Sequence, residues 1–233
     1  MSELSQVTAV ILAGGFGTRL SKIVSDRPKV MAGINSKPFI TFLLDQLVEA
    51  GIENVVISTG FMAHVIEGAI GFSYEGMQVD YSREKTPLGT GGALKLAGRV
   101  VDTEFCQVMN GDSCTEFDPI SLFMTHKQKN ANITILVKAV ADTSRYGAIK
   151  MSDQKEIVGF MEKGSSTGTG LINTGVYAMK ASTFKEIPDR IPSSLEYDFF
   201  PSMIDKGIYG YETEGKFIDI GTPESYAQAE KFF

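Results

Sequence analysis

Apolar residues fall into two rhythms along this chain, short β-branched runs and stripes at helical spacing, and the two alternate through its first half. Val7–Leu12 reads as a buried strand. Phe39 to Ala50 carries Phe39, Phe42, Leu43, Leu47 and Ala50 on one helical face, with Gly51 behind it as a stop. Asn54–Thr59 predicts a second buried strand, Met62 to Ile70 a short helix, and Met77–Ser82 an alternating strand. Gly92–Ala97 predicts a helix, Phe105–Met109 another buried strand, and Pro119–Lys129 a further helix. This βαβα order implies an α/β architecture: a Rossmann-like, doubly wound, mostly parallel mixed sheet with ligands at the carboxyl ends of its strands.

The rhythm changes after about Asn132. Ile133–Val137, Ala148–Met151, Ile157–Met161 and Ile172–Met179 are strand-like pieces joined by turn-rich loops such as Lys163–Gly170. A helix is predicted from Leu195 to Asp205, strands at Tyr209–Glu212 and Phe217–Ile220, and a closing helix from Pro223 to Phe232. No proline-rich linker and no repeat of 20–50 residues divides the chain. Its 233 residues suit one domain, with residues 1–131 as a nucleotide-binding half and 132–233 closing the cleft.

Composition narrows the classes. With 43% hydrophobic and 21% charged residues the chain is ordinary for a globular protein, and neither a disordered nor a fibrous class is indicated. A net charge of −6 without a Lys/Arg run argues against nucleic-acid and anionic-membrane surfaces. Cys106, Cys114, His64 and His126 match no zinc-ligand spacing, and reduced thiols are expected. The first residues lack a basic leader and no apolar stretch is long enough to span a bilayer, so a cytoplasmic protein is expected. Self-association is left open.

The candidate chemistry begins where the first strand ends, in Leu12-Ala13-Gly14-Gly15-Phe16-Gly17-Thr18-Arg19-Leu20, followed by Pro28-Lys29. Glycines let successive backbone N–H groups approach a phosphate chain, Arg19 offers a planar fork, and Lys29 a mobile charge. The spacing fits neither a dinucleotide fingerprint nor a Walker A loop, which leaves a nucleoside triphosphate site or a ligand-free glycine turn. Asn110-Gly111-Asp112 follows the strand Phe105–Met109, and Asp219 sits in an apolar strand that breaks at Gly221-Thr222-Pro223. Those two carboxylates are candidate Mg²⁺ ligands, although an Asn-Gly-Asp turn alone is the blander alternative. Leu88-Gly89-Thr90-Gly91-Gly92-Ala93 opens a helix, so its amides either meet a base or ribose or merely pack closely. Glu162-Lys163 is either a solvated turn or a sugar contact, and Asn173-Thr174-Gly175 either a bulge or a sugar contact.

In this order the motifs resemble the sugar-1-phosphate nucleotidyltransferase family, whose nucleotide-diphospho-sugar transferase fold would here lack a C-terminal β-helix. One departure is Val30, where the family usually has proline. The resemblance implies attack of a sugar 1-phosphate on the α-phosphorus of a nucleoside triphosphate, with pyrophosphate leaving. It is nearest to members that use GTP, with D-glycero-α-D-manno-heptose 1-phosphate ahead of mannose 1-phosphate. Carried over, Arg19, Lys29 and Asp112 would be catalytic. Leu12, Ala13, Gly14, Gly15, Gly17, Thr18, Arg19, Gly89, Thr90, Gly92 and Asp112 would hold the nucleotide. Lys29, Asn110, Gly147, Glu162, Lys163 and Asn173 would hold the sugar phosphate, and Asp112 and Asp219 the Mg²⁺. A non-catalytic nucleotide-sugar-binding regulator is the rival of another class, disfavoured because Arg19, Lys29 and both carboxylates are present. A nicotinamide-dependent oxidoreductase is disfavoured by the glycine spacing.

Overall fold

A computed structural model describes residues 3–17, 19–20, 23–161, 164 and 168–233. The first half runs β1 (Val7–Leu12), a small hairpin of β2 (Gly33–Ile34) and β3 (Lys37–Pro38), α1 (Phe39–Glu49), β4 (Asn54–Thr59) and α2 (Ala63–Ile70). It continues with β5 (Ser73–Tyr74), β6 (Met77–Arg83), α3 (Gly89–Ala97), β7 (Phe105–Asn110), β8 (Ser113–Thr115) and α4 (Pro119–Gln128). The second half holds β9 (Ile133–Val140), β10 (Ala148–Met151), β11 (Ile157–Met161), β12 (Gly170–Lys180), β13 (Ile208–Glu212), β14 (Phe217–Asp219) and α5 (Pro223–Ala229).

The apolar runs become strands because both of their faces are covered. In β1, Val7, Ala9 and Ile11 enter one core while Val10 enters the other. Likewise, Val55 and Ile57 of β4 face one way and Val56 the other. One core takes the apolar sides of α1, α2 and α4. The other takes Leu94 and Ala97 of α3 together with Leu195, Phe199, Phe200 and Met203. Helices thus cover both faces, as a doubly wound sheet requires.

Ten of the described strands form one mixed sheet. Its main path is β11-β10-β12-β7-β1-β4-β6-β5, and β9 joins β12 to β13. The ladders β7-β1, β1-β4 and β4-β6 are parallel, while β12 pairs antiparallel with β7, β9 and β10. The chain passes outward from β1 through β4 to β6 and returns to β1's other side as β7. Neighbouring strand ends whose connections depart in opposite directions leave a crevice between them. That crevice lies where Leu12 is in register with Asn110.

The helix expected from Leu195 to Asp205 forms over Leu195–Met203, but not as a regular α-helix: a π-helical turn covers Leu195–Phe199 and a tighter 3-10 turn Phe200–Met203. Pro201 falls within this segment, where it lacks an N–H and its ring obstructs a continuing helix. The closing helix stops at Ala229, short of Phe232. Cys106 and Cys114 are free, buried in separate cores, with burial pushing both thiols up to about 12. No described helix is long and apolar enough to cross a membrane.

His126 of α4 is fully buried, with Nδ1 2.9 Å from the Thr134 hydroxyl and Nε2 without a partner. Burial, and secondarily the Lys180 charge, push its pKa down to about 4. An unfolded histidine titrates near 6.5, so between about pH 6.5 and 4 the unfolded chain binds a proton that the folded one refuses. Stability therefore falls with pH across that window, by roughly 3 kcal/mol for this group. The urea midpoint should drop between pH 7 and 4.5, and His126→Gln should flatten that dependence; an equal slope in the variant would exclude His126 as its source.

Candidate active site

The loop after β1 and the turn after β7 leave the sheet side by side. Ala13 donates its N–H to the Ser58 carbonyl at 2.8 Å, anchoring the loop to β4. Among the described residues, the amides of Gly14, Gly15, Phe16 and Gly17 have no protein acceptor, and all four residues line a cavity of about 380 Å³. A concavity of unspent N–H groups suits an anion. At the neighbouring strand end the Gly111 N–H donates to the Leu12 carbonyl at 2.9 Å. A Cβ at Gly111 would sit 2.8 Å from that same oxygen and 3.0 Å from Val30 Cγ1, so only glycine allows this approach. Val30 is buried there, in a 3-10 turn over Lys29–Met31.

That turn delivers Lys29 to Asp112, with Nζ 2.6 Å from Oδ2, the lysine side chain only 10% exposed. Asp219 arrives from β14, which pairs with β8 so that Asp219 lies opposite Ser113 and the Ile220 N–H reaches the Asp112 carbonyl at 2.9 Å. Its Oδ1 accepts from the Gly221 N–H, and Thr222 caps α5 one residue later through a capping box with Ser225. Asp112 and Asp219 both border a second cavity of about 390 Å³. Arg19, Asn110 and Asp112 border both cavities, and Arg19 has no carboxylate partner among the described residues.

The second cavity is closed by β12, which bulges between Asn173 and Tyr177. Gly175 adopts φ +83°, and a Cβ there would lie 2.8 Å from both Asn110 Nδ2 and Ser113 Oγ. A side chain is excluded on both grounds. Asn173 donates to the Tyr177 hydroxyl at 3.0 Å and accepts from the Gly175 N–H at 2.8 Å, fixing its orientation. Tyr177 is fully buried and its phenol is pushed well up, first by burial and then by the charge of Glu196. Asn110 Oδ1 is buried without a partner.

Of the expected residues, Leu12, Ala13, Gly14, Gly15, Gly17, Arg19, Lys29, Gly89, Thr90, Asn110 and Asp112 line the first cavity. Gly147, Asn173 and Asp219 line the second, again with Arg19, Asn110 and Asp112. Thr18, Glu162 and Lys163 lie outside the described residues. One expectation needs correction. Gly92 is not on either wall: its N–H and that of Gly91 go to the Ser193 carbonyl at 3.4 and 2.8 Å, so this part of the glycine cluster packs α3 against a strap. Lys29, expected to be catalytic and to hold the sugar phosphate, borders the first cavity with its ammonium paired to Asp112.

Sequence reasoning missed Glu84, Tyr146, Glu196 and Tyr197. Glu84 borders the first cavity, accepts from the Leu88 N–H at 2.9 Å, and has its carboxyl pKa raised by burial. Its position five residues before Gly89 was the available signal. The other three border the second cavity from loops with no local motif.

The profile of the nucleotidyl transferase family matches residues 8–233. The D-glycero-alpha-D-manno-heptose 1-phosphate guanylyltransferase of Aneurinibacillus thermoaerophilus is 38% identical over 224 residues, covering 96% of each chain. The mannose-1-phosphate guanylyltransferase of Mycobacterium tuberculosis is 34% identical over 96% of this chain, which spans 63% of that protein. Among solved structures, HddC from Yersinia pseudotuberculosis complexed with GMP-PN superposes with a TM-score of 0.84 at 32% identity, over 97% of this chain and 98% of that one.

The Gly111 contact generates a direct test. Gly111→Ala must push the Asp112 turn away from the loop after β1, and displacements near 1 Å in such sites cost on the order of 10²-fold. Nucleoside triphosphate binding by calorimetry should weaken at least about tenfold while the melting temperature shifts by only a few degrees; unchanged affinity would show that the approach of the two strand ends is not required.

Proposed function

This chain belongs to the nucleotidyl transferase family, and from that membership we propose that it joins a sugar 1-phosphate to GTP, releasing pyrophosphate and forming a GDP-sugar. D-glycero-α-D-manno-heptose 1-phosphate is the preferred sugar, on the strength of a relative of that activity covering 96% of both chains. Mannose 1-phosphate is the second reading, supported by a longer relative. One observation carries the proposal: Asp112, with Arg19 and Asn110, borders both cavities, so two ligands would meet across one carboxylate.

The amides of residues 14–17 would hold the triphosphate, and Arg19 would cover the oxygens of the leaving pyrophosphate. Lys29, released from Asp112, would be free to face the incoming phosphate. Asn173, Gly147 and Asn110 Oδ1 would take sugar hydroxyls. No protein nucleophile is required, because positioning and charge neutralisation suffice for an in-line displacement.

Two carboxylates, one from the turn after β7 and one from the end of β14, fit Mg²⁺, which takes hard oxygen ligands and is commonly held by one or two carboxylates plus substrate phosphates. Asp112 and Asp219 would hold the ion; when bound it supplies charge neutralisation of the phosphates.

Glu84 supports the choice of base. Guanine presents N1–H and its 2-amino group side by side to a carboxylate, whereas uracil and thymine offer one N–H between two carbonyls. Adenine and cytosine place an acceptor beside their amino group.

Pyrophosphate release, assayed by crossing four nucleoside triphosphates with heptose, mannose and glucose 1-phosphates, tests the reaction; no release from any pair excludes it. Arg19→Ala and Asp112→Ala should each lower kcat by about 10²–10³-fold with the fold intact by circular dichroism. Near-wild-type turnover in folded Asp112→Ala would refute its metal role. Glu84→Gln should lower kcat/KM for GTP about tenfold or more and shrink the preference over UTP, and an unchanged preference would remove Glu84 from base recognition.

A further inference from the structure

Glu196 is a carboxylate that pairs with no cation of the described residues, on the wall of the second cavity. Its Oε2 accepts hydrogen bonds from the Thr90 hydroxyl at 3.1 Å and the Ser194 hydroxyl at 2.9 Å. Thr90 Oγ1 in turn accepts from the Leu195 N–H at 2.9 Å, and Ser194 Oγ accepts from the Glu196 N–H at 3.2 Å. The side chain is therefore held through one oxygen by two elements, the first turn of α3 and its own strap. The nearby Arg190 is engaged elsewhere, with Nη2 2.6 Å from Asp198 Oδ1.

Among the described residues Oε1 has no hydrogen-bond partner, and no Lys or Arg forms an ion pair with this carboxylate. Glu196 is half-buried and borders the cavity together with Asn173, Gly147 and Tyr197. Its charge also reaches the Tyr177 hydroxyl to which Asn173 is bonded, so the acid and the amide belong to one polar cluster. A carboxylate oxygen that faces a cavity with no donor from the described protein is open to the hydroxyl groups of a ligand, which donate to it well. The phosphates of both substrates would repel it, which directs it to the uncharged part of the ligand.

We infer that Glu196 is a specificity-determining residue for the sugar, its unpaired oxygen accepting hydrogen bonds from hydroxyls of the sugar moiety. The inference rests on the sugar 1-phosphate reaction proposed above and extends it to the choice among polyhydroxylated sugars. Thr90, bordering the nucleotide cavity, donates to the same carboxylate, so one hydrogen bond links the walls of the two cavities.

Steady-state kinetics of the wild type, Glu196→Gln and Glu196→Asp test it, with the preferred sugar 1-phosphate and its monodeoxy analogues. Glu196→Gln should lower kcat/KM for the sugar 1-phosphate roughly 10- to 100-fold, mainly through KM, with KM for GTP within about twofold. One deoxy analogue should be as poor a substrate for the wild type as the parent sugar is for Glu196→Gln, and the two losses should not add. Glu196→Asp keeps the charge and controls for a folding defect in the amide variant, as do melting curves of all three proteins. An unchanged sugar KM, a shift confined to GTP, or losses that add for every analogue each overturn the inference while leaving the reaction standing. Absence of turnover by the wild type with any sugar 1-phosphate overturns both.

Discussion

The hydrogen bond from the Gly111 amide to the Leu12 carbonyl joins the two strand ends on which the site depends. Parallel pairing of β1 with β7 brings Leu12 level with Asn110, and the bond extends that register one residue beyond the ladder. Everything chemical departs from this point, the glycine loop on one side and Asp112 on the other. Because the β1-to-β4 and β6-to-β7 connections run in opposite directions, no crossover fills the space above the joint. The crevice follows from the winding of the sheet, and the residues bordering it are those that leave the strands there.

The second half of the chain makes that crevice two-chambered. Long strand β12 runs antiparallel against β7, then bulges at Gly175 and carries on past Asn173 to form the floor of the second cavity. The bulge rotates Asn173 into position, and the lack of a Cβ at Gly175 lets the strand close on Asn110 and Ser113. The β8-β14 ribbon adds Asp219 beside Asp112. Charge is distributed accordingly: Lys29 is tied to Asp112, while among the described residues Arg19 pairs with no carboxylate and Glu196 with no cation. Both lie on the wall of the second cavity, Arg19 reaching the first cavity as well.

Much of the fold was legible because the elements are specified locally. Val7–Leu12, Asn54–Thr59, Ala148–Met151 and Ile157–Met161 form strands over the expected residues; the first two are β-branched runs buried on both faces, while the last two are short apolar pieces between turns. The irregular winding of the helix expected over Leu195–Asp205 has a local cause too, Pro201, which a periodic pattern of apolar residues conceals. The glycine loop, Lys29, Asn110, Asp112, Asn173 and Asp219 were likewise readable as motifs, and the structure brings them to the same pair of cavities. Glu84 and Glu196 were not readable in that way, because what marks each is a neighbour from a distant segment: the burial around one, and Thr90, 106 residues away, for the other.

The sequence by itself determined which segments are strands and helices, where the glycine loop begins, and which cations and carboxylates stand at strand ends, because those properties are set by residue type and short-range periodicity. Only the tertiary structure decided that Gly91 and Gly92 serve packing against Ser193, that Lys29 neutralises Asp112, and that Glu196 is an acid held by the hydroxyls of Thr90 and Ser194. Such assignments depend on which groups compete for each donor and acceptor in space. That competition is settled by the winding of the sheet and the close approach of strand ends, which a linear pattern does not encode.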